Sequence, residues 1–368
     1  MKKTYYIMHQ DKTAARIDMQ GHCTIYDPGF MPYNLFLDDT QEDLDTLVNN
    51  VTNFQYWCAT RILTLDRQYA KEILNSIGMA QAVTDRDRAK IALTYGCVSL
   101  TDVFWVKEEG DQRTFREINL YDNHLSNAFI DVALRGRQMT VQNDAPAPDL
   151  ATSGCFPKAW LRTEQGFRLL KDGDPEAVKS ELLASRVCQC FSCRQVVYEE
   201  SLYDGSVVSS SALMTSKEKS IVTRAAFEIY AANREIEPLS YILQLDGYSY
   251  YMMNLLDYLV GNTDRHWENW GLLIDNATNQ PVSLHPLMDF NQAFHAYETL
   301  DGANCQTTLP RRCTQREAAI EAVQRIGLNQ CREIEEKWFQ GREAEYGMLM
   351  QRLQLLKQEQ NETCVRLL

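Results

Sequence analysis

Apolar and polar positions alternate over Thr4 to Met8, Ala14 to Asp18 and Cys23 to Tyr26, which predicts a small antiparallel meander at the start of the chain. The period then lengthens. Over Leu44 to Leu65, Tyr69 to Ile77 and Arg86 to Tyr95, apolar residues recur every three or four positions, the spacing of one buried helix face. A strand-like Val103-Phe104-Trp105-Val106 follows. Asn143 to Asp149 carries Pro146 and Pro148 among short polar residues; neither a helix nor a central strand continues through two such prolines, so a boundary belongs there.

Beyond it the pattern predicts strands at Ala159 to Arg162 and Phe167 to Lys171, then a helix opened by Asp174-Pro175-Glu176, with Asp as cap and Pro in the first turn. A strand at Gly205 to Ser211 precedes a helix capped by Ser216 and running to about Asn233, and another helix spans Tyr250 to Val260. The last part is helical: a capping box at Thr314-Gln315-Arg316-Glu317, a stop at Gly327, and amphipathic segments at Cys331 to Phe339 and Glu343 to Lys357. A β-rich half thus precedes an α-rich half, an α+β class read as three units: 1–145, 146–215 and 216–368.

Composition narrows the function. Of the 368 residues, 37 are Lys or Arg and 50 are Asp or Glu, a net charge of -13 that repels polyphosphate backbones and argues against direct nucleic-acid binding. No apolar run approaches the roughly 18 residues that span a bilayer, since Asp257 interrupts the best candidate, and the N-terminus turns polar at His9-Gln10-Asp11-Lys12, too soon for a signal peptide. The expected location is the cytoplasm, where eleven scattered cysteines stay reduced. Cys188, Cys190 and Cys193, with Cys155, have the number of thiolates a zinc site needs, although C-x-C-x-x-C is not the usual paired knuckle and reads equally well as a buried strand or helix end.

The densest chemistry lies in Gly261-Asn262-Thr263-Asp264-Arg265-His266-Trp267-Glu268-Asn269-Trp270-Gly271, where a carboxylate and an amide stand five positions apart between a helix and a strand. Phosphoryl transfer needs one group to orient and deprotonate the acceptor hydroxyl and another to hold Mg²⁺, and the protein-kinase catalytic loop uses the same spacing. A hairpin of Leu272-Leu273-Ile274 and Pro281 to Leu284 then delivers Pro286-Leu287-Met288-Asp289-Phe290-Asn291 beside that loop. Asp289 stands where a chelating aspartate is required, with Asn291 in the place of the usual glycine; Asn tolerates the positive φ such a turn demands. Trp267 and Trp270 read as packing anchors.

The Asn-Thr-Asp-Arg-His-x-x-Asn loop followed by Pro-x-x-Asp resembles the HipA-like Ser/Thr protein kinase family over about residues 152 to 330. The resemblance implies a two-lobed kinase-like fold behind an α+β N-terminal module, with Asp264 as catalytic base and Asn269 and Asp289 as magnesium ligands. By position and order, Thr152 to Lys158 becomes the phosphate loop, with Ser153, Gly154 and Lys158 toward ATP. Lys171 would grip the α- and β-phosphates and Glu181 would pair with it. Met214 would lie in the adenine hinge, and His266 would brace the loop on the nucleotide side rather than transfer protons. Where family members often carry Gln and Ser around the loop glycine, this chain has Phe156 and Ala151. The family further implies ATP and Mg²⁺ as cofactors, possible autophosphorylation, a protein substrate such as a translation component, a toxin-type role and an antitoxin-like protein partner. A small-molecule kinase, a nucleotide-binding pseudokinase and a metal-dependent hydrolase remain as alternatives to a protein kinase.

Overall fold

A computed structural model describes residues 3–62, 84–123, 158–164, 166–295 and 297–367. Three antiparallel sheets are set along the chain, each next to helices. The first has the order β3-β2-β1-β4, from β1 (Thr4–His9), β2 (Lys12–Asp18), β3 (Cys23–Ile25) and β4 (Phe104–Glu108). Its alternation buries Ile7, Ala15 and Ile17 against α1 (Leu44–Thr60), which sinks Phe54, Trp57 and Cys58 from one face. Asp43 caps α1 by accepting from the Thr46 amide at 3.0 Å. Helices α2 (Asp85–Thr94) and α3 (Phe115–Ile118) complete this module.

The second sheet, β5-β6-β8-β7, comprises β5 (Lys158–Thr163), β6 (Gly166–Lys171), β7 (Tyr198–Tyr203) and β8 (Ser206–Ala212), with α4 (Pro175–Cys188) between β6 and β7 in sequence. Asp204 and Gly205, both at positive φ, turn the β7–β8 hairpin, the conformation a two-residue connection needs to match strand twist. The third sheet, β11-β10-β9, consists of β9 (Lys219–Thr223), β10 (Gly271–Asp275) and β11 (Gln280–Leu284). Around it stand α5 (Arg224–Ala232), α6 (Pro238–Val260), α7 (Gln315–Ile326) and α8 (Glu343–Leu367).

Two cores hold this together, and they do not follow the order of the chain. The first joins the N-terminal module to the second sheet through Ala159, Phe167, Leu170 and Val208. The second packs Val178, Leu182 and Val187 of α4 with Met252, Leu255 and Leu259 of α6 and Leu353 of α8. The module also reaches the helical half: Tyr33 donates to the Asn279 carbonyl at 2.9 Å, and the Ile221 amide donates to the Thr101 carbonyl at 3.0 Å.

Several expectations need correction. The helix expected from Ser216 begins only at Arg224, because Lys219–Thr223, rich in β-branched residues, pairs with β10 as a strand, and Thr223 is the true cap. Cys331 to Phe339 forms only a short 3₁₀ turn at Glu336–Phe339. The first long helix stops at Thr60. Tyr69 to Ile77, the Asn143 to Asp149 linker and Cys155 lie outside the described residues, among which no helix is long and apolar enough to cross a membrane and no His, Cys, Asp and Glu cluster has metal-holding geometry.

Burial keeps two imidazoles neutral, pulling His9 and His285 down from 6.5 to about 4. Between those values the unfolded chain binds protons that the folded chain refuses, so stability is full above pH 6.5 and is lost as pH falls toward 4. His285 alone is expected to account for roughly 3 kcal/mol of that loss. Thermal unfolding followed from pH 7 to pH 4.5 is expected to show a shallower decline for His285→Gln than for the parent.

Candidate functional site

The candidate loop begins where α6 ends. Gly261, at φ 60 and ψ 39, takes the left-handed conformation that stops the helix, and a Cβ there would lie 2.3 Å from the Tyr297 ring. Asp257, in the last turn of α6, receives Arg265 as a fork: Nε to Oδ2 at 2.9 Å and Nη2 to Oδ1 at 3.0 Å. Arg265 Nη1 also donates to the carbonyls of Asn269, at 2.8 Å, and of Met288. One buried guanidinium therefore ties together the helix end, the loop and the segment after β11 that carries Asp289.

Smaller bonds set the loop path. Asn262 Nδ2 donates to Asp257 Oδ1 at 3.0 Å and to the Asp289 carbonyl at 3.3 Å. From the far side, Gln315 and Gln306 donate to the carbonyls of Asn262 and Thr263 at 2.6 and 3.0 Å. Asn269 Nδ2 donates to the Asp264 carbonyl at 2.9 Å, which leaves Asn269 Oδ1 as its remaining acceptor. Trp270, 1% exposed, anchors the exit in the second core, and Gly271 lets β10 approach β9, since a Cβ there would lie 2.0 Å from the Val222 carbonyl oxygen.

The opposing wall is the second sheet. Its register places Lys158 opposite Lys171, and Lys171 opposite Ser209, so the three side chains share one face. Two lysines side by side repel, and acids offset them: Lys171 Nζ lies 2.7 Å from Glu181 Oε1 and 3.0 Å from Asp289 Oδ1. The Ser209 hydroxyl donates to the second oxygen of Glu181. Tyr198 stacks under Lys171, 5.0 Å from ring centre to Nζ, and its hydroxyl accepts the Asp289 amide at 3.0 Å.

Asp289 itself adopts φ 61, so the positive φ expected of Asn291 falls two residues earlier, on an aspartate whose amide is held by Tyr198. Burial pushes its carboxyl up, but Lys171, Lys158 and Arg265 outweigh burial and bring it down to about 2. Burial works against charge on Lys171 too, yet Asp289 and Glu181 raise it well above the ordinary lysine range. Asp264 differs: partial burial raises its carboxyl, Asp289 adds to the rise, and His266 and Arg265 pull the other way. Its side chain is 42% exposed, and His266 Nε2 stands 3.9 Å from Oδ1. His266 Nδ1 accepts the Glu268 amide at 3.2 Å.

The fold thus brings together Asp264, His266, Asn269, Asp289, Lys158, Lys171 and Glu181. Met214 sits just past β8, where Leu213 packs on the first core and Met214 on the second. Ser153 and Gly154 lie outside the described residues. Tyr198 and Ser209 carry no motif of their own, and the Asn262–Asp257–Arg265 bonding is not evident from the loop motif that contains Asn262 and Arg265. A carboxylate interrupting the apolar run of α6 was the signal for Asp257; nothing local distinguished Tyr198 or Ser209, which matter only through pairing.

No family model and no curated protein matches this sequence. Solved structures do. A HipA from the Shewanella oneidensis MR-1 toxin-antitoxin system, solved with HipB and operator DNA, aligns over 98% of this chain and 91% of its own, with TM-score 0.53 and 11% identity. The Helicobacter pylori proinflammatory kinase CtkA aligns over 57% of this chain and 95% of its own, with TM-score 0.44 and 13% identity, too loose a superposition to carry an argument. The first likeness, spanning nearly the whole chain, shows a HipA-like kinase fold.

Removing one partner of a buried ion pair strands the other charge. Asp257→Ala is accordingly expected to lower unfolding stability by roughly 3–5 kcal/mol, read from denaturant midpoints.

Proposed function

We propose that this chain is an ATP- and Mg²⁺-dependent kinase that transfers the γ-phosphoryl group to a Ser or Thr hydroxyl of a protein. The observation that carries the reading is the buried Lys171–Glu181–Asp289 cluster facing an accessible Asp264 whose proton affinity is raised. On this reading Lys171 and Lys158 offer positive charge to the nucleotide phosphates, and Glu181, itself held by Ser209, keeps Lys171 extended from its strand. The hydroxyl of the acceptor loses its proton to Asp264, whose raised carboxyl favours accepting it.

The residues present fit a divalent cation: Asp289 is ionised at neutral pH and Asn269 keeps an amide oxygen, the hard oxygen donors magnesium prefers, with phosphate and water completing the set. Asn269 and Asp289 would hold the ion, which supplies charge neutralisation at the phosphates. Ser153 and Gly154 are assigned to the phosphate loop, His266 to bracing Asp264, and Met214, where the two cores meet, to the adenine hinge. The units follow as 1–145, the N-terminal module; 146–215, the phosphate-binding lobe; and 216–368, the helical lobe. Because the HipA it resembles was solved with HipB, an antitoxin-like protein partner and a toxin-type role acting on a translation component extend the proposal.

Purified protein incubated with Mg²⁺ and γ-labelled ATP is expected to transfer label to Ser or Thr, either within the chain or on an added protein. Asp264→Asn is expected to slow transfer on the order of 10²- to 10⁴-fold while nucleotide binding survives, and Asp289→Ala to abolish transfer. Lys171→Ala is expected to weaken ATP binding. ATP binding without transfer to protein would move the assignment to a small-molecule kinase or a pseudokinase, and absence of ATP binding would overturn it.

A further inference from the structure

The phosphoryl-transfer reading leaves the Cys188-x-Cys190-x-x-Cys193 stretch unused. Cys188 closes α4 and is wholly buried. Directly after it, the chain forms a short antiparallel bridge with the segment that follows α7: Phe191 pairs with Gln330, the Cys331 amide donates to the Cys190 carbonyl at 2.8 Å, and the Ser192 amide donates to the Asn329 carbonyl at 2.9 Å. This register sets Cys190 opposite Cys331. Cys190 itself sits in the turn that ends α4, its amide donating to the Val187 carbonyl at 2.9 Å and its carbonyl also accepting the Arg332 amide at 3.2 Å. The two cysteines are thus held backbone to backbone; a disulfide between them requires Cα atoms roughly 4.4–6.8 Å apart.

Each thiol lies near the opposing segment, and Cys190 Sγ also lies 3.6 Å from the Arg186 carbonyl oxygen of its own helix. Cys331 Sγ is 3.2 Å from the Cys190 carbonyl oxygen, and Cys190 Sγ is 3.5 Å from the Glu333 carbonyl oxygen. Their access to solvent differs: Cys190 is 1% exposed, whereas Cys331 is exposed. Cys193 Sγ turns back toward the Cys188 carbonyl at 3.9 Å. One thiol is thus reachable by a dissolved oxidant while its neighbour, bonded to it through the backbone, is shielded, as an attacking and a resolving cysteine would be.

We infer that Cys190 and Cys331 are an oxidisable dithiol that closes to a disulfide with hydrogen peroxide. Cys331 sulfur attacks the O–O bond, forming a sulfenic acid and one water; Cys190 sulfur then displaces the sulfenic oxygen, which leaves as a second water with the Cys190 proton. The two thiols lose two electrons and peroxide gains them. The bond would fasten the exit of α4, the helix that carries Glu181, to the segment after α7 across 141 positions of chain.

The intact chain, treated natively with hydrogen peroxide, alkylated and digested without reductant, tests this independently of any phosphoryl transfer. Chymotryptic cleavage after Phe191 separates Cys190 from Cys193. The expected product is a peptide linked through Cys190 and Cys331, released by dithiothreitol, absent from Cys331→Ser and retained in Cys193→Ser. A dithiothreitol-reversible rise in thermal midpoint, missing in Cys331→Ser, is expected with it. A Cys193–Cys331 link, a Cys331 sulfinic acid beside an alkylated Cys190, or no oxidation of either residue would overturn the inference.

Discussion

The site depends on the Asp257–Arg265 pair. A buried ion pair is stable only when nearly every donor and acceptor is satisfied, and here the guanidinium meets both carboxylate oxygens and two carbonyls, while Asn262 supplies a further donor to Asp257. Those carbonyls belong to Asn269 and Met288, so the polar groups that make the pair tolerable are the backbone of the loop and of the segment after β11. Helix α6, the Asp264–Asn269 loop and Asp289 consequently adopt one relative placement. Displacing any of them would leave a buried charge short of partners.

A second polar knot, at the second sheet, is built on the opposite logic. Lys158 and Lys171 stand side by side in a sheet, an arrangement that repels unless negative charge is nearby. Glu181 arrives from α4, which packs into the second core, and Asp289 arrives from the helical half, so the sheet alone cannot balance its own charge. The two halves of the molecule are thereby coupled electrostatically at the point where they meet. The N-terminal module, which shares a core with the sheet and touches both Asn279 and Ile221 of the helical half, adds packing to that coupling.

Much of this was legible locally. Alternation fixed β1 and β2, the local pattern placed β5 and β6, three- and four-residue spacing fixed α1 and the second half of α6, whose first half from Pro238 was not expected, and capping chemistry fixed the starts of α4 and α7, because those signals are carried by neighbours in sequence. The Asp264–Asn269 spacing and the Pro286–Asp289 run stood out for the same reason, although the strand expected to end in that run, β11, stops at Leu284. Ser216 to Thr223 misled because a helical pattern downstream masked a strand whose partner, Gly271–Asp275, lies some fifty positions away.

The amino-acid sequence by itself singled out the residue types and spacing on which the phosphoryl-transfer proposal rests and the segments that can be helix or strand, since both follow from residue type and short-range period. Only the tertiary structure decided that Asp289 bears the positive φ, that Tyr198 holds its amide, that Arg265 fastens the loop through Asp257, and that the Cys331 amide bonds the Cys190 carbonyl. Each of these is a contact between residues distant along the chain, set by strand register or by satisfying a buried charge, and neither leaves a periodic trace in the sequence.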